Sequence, residues 1–230
     1  MSTKSFLHNI PVFAPLPDTI KVKLEEIILT KAVTKGEVLF RETEPAESLY
    51  FINEGKVKLT KSSADGKEIV LNIRQKDEIF AEVALFSPEE TTYPATATVL
   101  EGGSVSYIRN EDLEMMLLEH PELGMPIFRI MAERLRISQT TLRDVALYGK
   151  LSALAATLVR LTEDYGIKKE DGIYIDIKLT HEDLGNFFGA TRESVTRMMN
   201  QLKKQKILSK KQGYLVIHDL EELKTYMHDA

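Results

Sequence analysis

A basic stripe near the C-terminal end has residue types and spacing suited to one kind of chemistry, the binding of an anion. Between positions 192 and 211 the chain carries seven basic residues and one acid, Glu193. Such a stripe can contact phosphates although the whole chain has a net charge of −5. A solvated helix face has a similar composition, so the elements around the stripe must decide. The basic residues are Arg192, Arg197, Lys203, Lys204, Lys206, Lys210 and Lys211.

Two arginines flank a carboxylate at the start of this stripe. Arginine can bond guanine through two atoms, and Glu193 can accept a hydrogen bond from cytosine N4. A carboxylate repels a phosphate backbone, so Arg192, Glu193 and Arg197 together predict the reading of base edges in the major groove of double-stranded DNA. A surface Arg–Glu–Arg salt-bridge cluster is the alternative. The predicted DNA contacts are Thr180, Arg192, Glu193, Ser194, Thr196, Arg197, Lys203, Lys210 and Lys211.

Two short helices are predicted to hold these residues. Thr180 precedes the first, over residues 181–188, in a capping pattern: its hydroxyl takes an orphan amide and Asp183 can return the bond. That helix stops at Gly189, and the second covers residues 192 to about 204. We therefore predict a helix-turn-helix, with a helical hairpin of no DNA relevance as the alternative.

The register of small and apolar residues supports this prediction. Counted from His181, the fifth residue is Gly185, the ninth Gly189, the fifteenth Val195 and the eighteenth Met198. The fifth must be small because the second helix crosses close to it, and the ninth must accept a left-handed conformation. We expect Val195 and Met198 to bury the inner face of the second helix.

The flanking segments complete a winged domain. Residues 151–165 are predicted as an amphipathic helix and residues 173–177 as a strand. Residues 209–217 read as a two-stranded wing with Gly213 at its turn, where Lys210 and Lys211 would contact phosphate and position the second helix. Asp219 is predicted to cap a final helix.

A long helix is predicted from Pro121 to about Tyr148, with a break at Gly149 and Lys150. Apolar residues recur along it with alternating spacings of three and four, as in the seam of a two-stranded coiled coil. Ile127, Ile130 and Ile137 lie on a neighbouring face that could cover another domain. A homodimer is the prediction, and a single helix packed once within its own domain is the alternative. The predicted dimer seam is Phe128, Met131, Leu135, Ser138, Leu142 and Val145.

The first half of the chain is predicted to be mostly antiparallel β-structure. Asp18 can cap a helix over residues 19–29, short apolar runs follow, and Asp65-Gly66 marks a hairpin. Asn110 is predicted to cap a helix that ends at Glu119. The fold class is therefore α+β, with domains over residues 1–120, 121–149 and 150–230.

Composition excludes several classes of site and compartment. The chain has no cysteine, so disulfides, thiolate metal sites and iron–sulfur clusters are excluded. No secretory signal and no run of about 18 apolar residues is evident, so we expect a cytoplasmic protein without a membrane partner. Five histidines are scattered, without a catalytic set. We predict no enzyme, no catalytic residue, no metal and no cofactor.

Residues 189–197 read GATRESVTR, which resembles the recognition-helix signature G-x-(S/T)-R-E-(S/T)-V-x-R of the CRP/FNR family. Residues 131–135 and 171–173 also match, and residues 146–150 are most similar to the Fnr branch found in Bacillus-type bacteria. The resemblance covers nearly the whole chain. It implies an N-terminal β-roll of the cupin-like jelly-roll type, a long dimerisation helix and a C-terminal winged helix-turn-helix. It further implies a palindromic operator with TGTGA-like half-sites and contact with RNA polymerase.

The sensor region departs from the cyclic-AMP-binding members of that family. Their phosphate cassette has the form G-E-x-x-L-F followed by R-(S/T)-A, whereas this chain has AEVALF and then Tyr93-Pro94-Ala95. Without the arginine a buried phosphate would be unpaired and costly, so we expect neither cyclic AMP nor an iron–sulfur cluster. The regulator is then constitutive or takes an unidentified ligand; a small-molecule receptor whose output is protein contact is a further alternative. The resemblance places an effector pocket at Glu82, Tyr93, Ser138 and Gln139; a polar coiled-coil position that sets register is the alternative for Ser138.

Overall fold

The computed structural model describes residues 6–86 and 91–227. The chain divides into two compact units, with the boundary between Leu135 and Arg136. Within the described residues each unit has one antiparallel sheet, of six strands in the first unit and four in the second. The boundary falls inside a helix and not at the predicted domain limits.

The first unit is a β-roll closed by helices. Its helices and strands in chain order are α1 (Asp18–Ile27), β1 (Leu29–Val33), β2 (Val38–Phe40), β3 (Ser48–Ser62), β4 (Glu68–Gln75), β5 (Ile79–Phe80), β6 (Thr96–Arg109) and α2 (Asn110–Glu119). Strand order in the sheet is β1-β6-β3-β4, with β2 paired to β6 and β5 paired to β3. A 3₁₀ turn, Glu82–Phe86, follows β5.

Several boundaries in this unit differ from the sequence prediction. The four short runs at 49–52, 57–60, 95–100 and 105–108 form only two strands, β3 and β6, which pair along most of their length through register shifts. Helix α1 ends before Leu29, which pairs with Tyr107 in the sheet. The hairpin at residues 65–66 is present, because β3 and β4 pair from Ser62 and Glu68 onward.

Both predicted caps in this unit are wrong. Asp18 is the first residue of α1, whose N-cap is Pro17 without a side-chain hydrogen bond. Asn110 likewise lies inside α2, and its Nδ2 donates to the carbonyl oxygen of Ala46 at 2.8 Å. The amide of Asn110 thus joins the helix to a distant loop, where local sequence predicted a bond to its own helix.

Two apolar clusters form the core of this unit. The first lies between the sheet and the helices, and Ile127 is fully buried in it while Ile130 packs against it, as the sequence predicted. The second fills the interior of the roll and contains Phe40, Phe80 and Tyr93. The roll is therefore packed with its own aromatic side chains.

The helical segment after α2 is longer than predicted. A 3₁₀ turn, Pro121–Leu123, leads into α3 (Gly124–Arg143), a π-helical turn, Asp144–Tyr148, and then α4 (Gly149–Tyr165). The predicted break at Gly149 is present as a backbone distortion, since that residue has φ +82°. Helical structure resumes there without a linker.

The second unit is a winged helix domain. After α4 its elements are β7 (Gly166–Lys169), β8 (Gly172–Ile175), α5 (His181–Asn186), α6 (Arg192–Lys204), β9 (Leu208–Lys211), β10 (Tyr214–Ile217) and α7 (Leu220–Thr225). The sheet has the order β7-β8-β10-β9. Strand β7 was not predicted from sequence, because its four residues are all exposed and show no alternation. The predicted strand at 173–177 ends earlier, at Ile175.

Candidate nucleic-acid interface

Thr180 starts α5 with the predicted capping box. Its Oγ1 accepts a hydrogen bond from the backbone N–H of Asp183 at 3.0 Å, and its own N–H donates to Asp183 Oδ2 at 2.9 Å. The hydroxyl also donates to the same carboxylate oxygen at 2.7 Å. Two orphan amides of the short helix are satisfied in this way. The exposed Thr180 side chain thus fixes the start of α5.

The turn between α5 and α6 depends on two glycines. A Cβ atom at Gly185 would lie 2.2 Å from the carbonyl oxygen of Ala190. The N–H of Ala190 donates to the carbonyl of Gly185 at 2.9 Å, so the two backbones are in direct contact. Gly189 has φ +67°, the left-handed conformation predicted for it. Gly185 is therefore required mainly by the close approach of the turn backbone. Helix α6 adds a second, weaker constraint, because the Val195 side chain would lie 3.3 Å from a Cβ atom at Gly185.

Helix α6 has one buried and one exposed face. Thr191 caps it, accepting from the N–H of Ser194 at 3.3 Å. Val195, Met199 and Leu202 are buried. The prediction that Met198 buries the inner face is wrong in degree: it is only half-buried. The buried positions follow the i, i+4, i+7 spacing of a helix face, which places Met199 closer to the core.

The outward face of α6 is free to bind. Arg192, Glu193 and Arg197 are exposed, and none of the ion pairs among the described residues involves them. Arg197 Nη2 makes only a long bond, 3.4 Å, to the half-buried Ser194 Oγ. The pKa of Glu193 is lowered by hydrogen bonds from the Glu193 backbone and from Thr191, and by the charge of Arg192. The carboxylate is thus ionised, and the alternative of a salt-bridge cluster is not formed.

Thr196 is less available than its neighbours on this face. It is half-buried, and its hydroxyl donates to the carbonyl oxygen of Arg192 at 2.8 Å. The hydroxyl oxygen of Thr196, Oγ1, also lies 2.8 Å from Nδ1 of His181, the first residue of α5. Sequence reasoning gave His181 no role, and its position at the start of the helix-turn-helix was the available signal.

The wing is a tight hairpin between β9 and β10. Its two turn residues, Gln212 and Gly213, both have positive φ, 51° and 91°, which matches the twist of the flanking strands. Lys210 on β9 is exposed, as is Lys203 on α6. These two lysines can move to meet a phosphate without breaking an ion pair among the described residues.

Lys211 differs, because it forms an ion pair with Asp171 in the turn between β7 and β8. Asp171 also accepts a hydrogen bond from the hydroxyl of Tyr174 at 2.9 Å. The Lys211 and Tyr174 bonds lower the pKa of Asp171, and the carboxylate raises the pKa of Lys211. Lys211 therefore holds the wing to the neighbouring turn. At the end of the domain Asp219 caps α7 as predicted, accepting from Glu222 N–H at 2.9 Å.

The predicted dimer seam is largely exposed in the single chain. Phe128, Leu135 and Leu142 have 52%, 59% and 70% of their surface accessible. Met131 and Val145 are half-buried, and Ser138 is exposed. Exposed large apolar side chains at this spacing call for a partner surface.

The predicted effector residues fall in both units: Glu82 and Tyr93 belong to the first, and Ser138 and Gln139 to the second. Glu82 is buried and forms an ion pair with Arg134 of α3. The ring of Tyr93 stacks on Phe40 with centroids 3.7 Å apart, and its hydroxyl accepts from the N–H of Ser48 at 3.1 Å. Burial raises the pKa of Tyr93. Ser138 and Gln139 are exposed on the part of the helix that belongs to the second unit.

One helical stretch is long and apolar enough, by length and composition alone, to cross a membrane. It covers Pro121–Tyr165, and half of its most apolar window is buried. Lys150 and Arg160 interrupt this stretch, so it is not a continuous run of apolar residues, and the core helix of a soluble domain meets the same criteria. Across residues 6–86 and 91–227, no cluster of three or more His, Asp or Glu side chains could hold a metal ion.

Comparison with known proteins places this geometry in a family. Residues 30–120 match the family model of a cyclic nucleotide-binding domain, and residues 152–226 match that of a Crp-like helix-turn-helix domain. The chain is 40% identical over 202 residues to the anaerobic regulatory protein of Bacillus subtilis (strain 168), with 87% of this chain and 84% of that protein covered.

Two further matches agree. The chain is 31% identical over 165 residues to the CRP-like cAMP-activated global transcriptional regulator of Mycobacterium tuberculosis (strain H37Rv), covering 72% of this chain and 73% of that protein. The structure of FixK2 from Bradyrhizobium japonicum shares the fold, with a TM-score of 0.77 at 19% identity over 89% of this chain and 99% of that one. The predicted fold class is confirmed. The chain belongs to the CRP/FNR family of transcription regulators, and its helix-turn-helix domain is a DNA-binding domain of that family.

Proposed function

We propose that the protein binds a palindromic operator with TGTGA-like half-sites as a homodimer and reads each half-site with α6. The observation that carries this proposal is the exposed set of Arg192, Glu193 and Arg197, none of which forms an ion pair with another described residue. Glu193 and Arg197 are two positions either side of the buried Val195 and so lie on the opposite face of α6, and Arg192 is exposed at the start of the helix. Arginines can then bond guanine and the carboxylate can accept from cytosine.

The exposed apolar seam on the long helix supports the homodimer. A dimer would bury Phe128, Leu135 and Leu142, and burial of a leucine or phenylalanine side chain stabilises by about 1.5–3 kcal/mol. Two-fold symmetry then presents two copies of α6 to half-sites about one DNA turn apart. In this arrangement residues 121–149 form the dimer interface. The dimer acts in the cytoplasm, and RNA polymerase contacts it when it is bound to the operator.

The packing of the β-roll supports operation without cyclic AMP or an iron–sulfur cluster. Glu82 has an arginine partner inside the protein, and Tyr93 fills the interior of the roll against Phe40. Tyr93-Pro94 stands where the cyclic-AMP-binding members have an arginine, and burying a phosphate without such a cation is costly. The chain has no cysteine to hold a cluster.

A regulator that responds to an unidentified small molecule in the roll is the second candidate. The match of residues 30–120 to the cyclic nucleotide-binding domain favours it. Calorimetry with cyclic nucleotides separates the two: the proposal expects no heat of binding, and saturable heat with a matching rise in operator affinity would favour the second candidate.

Fluorescence anisotropy tests the operator. A duplex with two TGTGA half-sites is compared with a scrambled duplex, using wild type, Arg197→Ala and Lys224→Ala, a surface lysine of α7. We expect Arg197→Ala to lose about 1–3 kcal/mol on the operator alone, with Lys224→Ala unchanged. Equal affinity of wild type for both duplexes would contradict the proposal.

A further inference from the structure

His181 lies at the junction of the two helices of the DNA-binding motif. It is the first residue of α5 and half-buried, and its Nδ1 is 2.8 Å from Oγ1 of Thr196 on α6. The ring therefore joins the start of one helix to the face of the other. Arg192 on α6 and Lys210 on β9, both proposed DNA contacts, are near enough for their charges to act on the ring.

The hydrogen bonds of Thr196 determine which ring nitrogen carries the proton. The Thr196 hydroxyl has one hydrogen, and its oxygen is 2.8 Å from the carbonyl of Arg192, a group that can only accept. That hydrogen must therefore point to the carbonyl. The hydroxyl can then only accept from His181, so Nδ1 carries a hydrogen and Nε2 of the neutral ring carries a lone pair.

Nε2 is the atom left for another partner. No described residue makes a hydrogen bond to it. A neutral ring offers a phosphate only a lone pair there, whereas a protonated ring offers an N–H donor and a positive charge.

The surroundings favour the neutral form of the free ring. Burial first, and then the charges of Lys210 and Arg192, lower the pKa of His181 below its ordinary value. The charges that act on the ring are thus those of Lys210 on β9 and Arg192 on α6, and neither is a carboxylate. Helix α5 itself carries Glu182 and Asp183, the second of which accepts the Thr180 cap bonds, and Arg160 of α4 lies over Phe187 at the other end of α5.

We propose that His181 is a phosphate-contact residue that takes up a proton when the operator binds, donating through Nε2–H to the DNA backbone while Nδ1–H holds Thr196. The inference rests on the proposed function. A phosphate beside the ring favours the imidazolium, and it also offsets the repulsion from Arg192 and Lys210. Both effects raise the pKa of His181 in the complex.

The sign of the pH effect follows from linkage. A group whose pKa is higher in the complex makes binding tighter as the pH falls from the bound pKa towards the free pKa. One proton per subunit limits the slope to about tenfold in affinity per pH unit for each His181. Above the bound pKa the affinity is flat. A purely structural role for His181 in holding Thr196 would give no such slope.

The test measures operator affinity between pH 5.5 and 8.5 for wild type and three variants. His181→Asn keeps an N–H donor near the Nδ1 position but cannot titrate. His181→Arg carries a permanent charge. His218→Gln is the matched control, because His218 lies on the same domain with its ring nitrogens bonded to Asp171 O and Ser209 Oγ. The scrambled duplex is titrated in parallel.

We expect wild type and His218→Gln to share a slope that His181→Asn and His181→Arg lack. His181→Asn should keep the high-pH affinity of wild type, and His181→Arg should match or exceed its low-pH affinity. Imidazole NMR should show the Nδ1–H form in free protein and a raised His181 pKa in the complex. A slope retained in His181→Asn, or an Nε2–H form in free protein, would overturn the inference while operator discrimination stands. Loss of discrimination at every pH would instead remove the proposed function and this inference with it.

Discussion

Glu82 and Arg134 form a buried ion pair that joins the 3₁₀ turn after β5 to helix α3. Arg134 Nη2 also donates to the carbonyl oxygen of Ile79 at 2.6 Å. Burial lowers the pKa of Arg134, and the carboxylate of Glu82 acts against that shift. The glutamate that family resemblance assigns to an effector pocket is therefore bonded to the protein's own helix.

Arg134→Met should destabilise the first unit. It leaves the Glu82 carboxylate buried without its partner, at a cost of about 3 kcal/mol. Urea unfolding at neutral pH gives the free energy of unfolding. The double variant Glu82→Gln/Arg134→Met should recover part of that loss, because no charge is then left unpaired. Strictly additive losses would show that the two residues do not act on each other.

Gly185→Ala should weaken the second unit more than Gly189→Ala does. The first adds a methyl group 2.2 Å from a backbone oxygen, and overpacking of this kind costs typically 1–3 kcal/mol. The methyl group of Gly189→Ala would have no atom within 4 Å, so its only cost is the left-handed backbone conformation of that residue, about 1 kcal/mol. Urea unfolding gives the free energy of unfolding of each variant, and titration with the operator gives its affinity. The reverse order would mean that the turn can move away from position 185.

Leu135→Asp and Leu142→Asp should convert the proposed homodimer into monomers. Each places a charge where a leucine would be buried twice per dimer, with a loss of about 1.5–3 kcal/mol of apolar burial per copy. Sedimentation velocity measures the change. Leu118→Asp is the control, because Leu118 is 78% exposed on α2 and outside the seam. A wild-type monomer, or dimers in both seam variants, would refute the predicted seam.

Lys210→Ala should change the salt dependence of operator binding more than Lys211→Ala. Each lost phosphate contact reduces the slope of log affinity against log salt by about 0.9. Lys210 is exposed without an ion pair among the described residues, whereas Lys211 must leave Asp171 to reach a phosphate. Titrations at several salt concentrations give the slopes. If Lys211→Ala alone changes the slope, the ion pair does not persist in the complex.

Local chemistry made the DNA-binding half predictable. The Thr180 cap, the left-handed Gly189 and the Asp219 cap each depend on residues within a few positions, and all three are present. The long strands and the π-helical turn between α3 and α4 were not predicted; short separate strands were expected instead. Strands β3 and β6 pass through register shifts that look like turns in the sequence, and the π-helical turn before Gly149 has no sequence signature that we could identify.

Contacts between distant residues were beyond the sequence. Arg134 is 52 positions from Glu82, and Lys211 is 40 positions from Asp171. Both ion pairs involve a predicted site residue. Glu82 is paired with Arg134 and is not free for an effector, and Lys211 joins the wing to Asp171. Spacing along one helix could not reveal either, because each pair is made by the packing of separate elements.

The most direct test selects the sequences that ligand-free protein binds from a random pool of DNA duplexes. It shows whether α6 reads bases and whether two copies of α6 bind together as a dimer. We expect enrichment of a two-fold palindrome whose half-site centres are about 10 base pairs apart, and loss of half-site sequence preference in Arg197→Ala. Enrichment of no sequence, or of an unpaired site unchanged by Arg197→Ala, would contradict it.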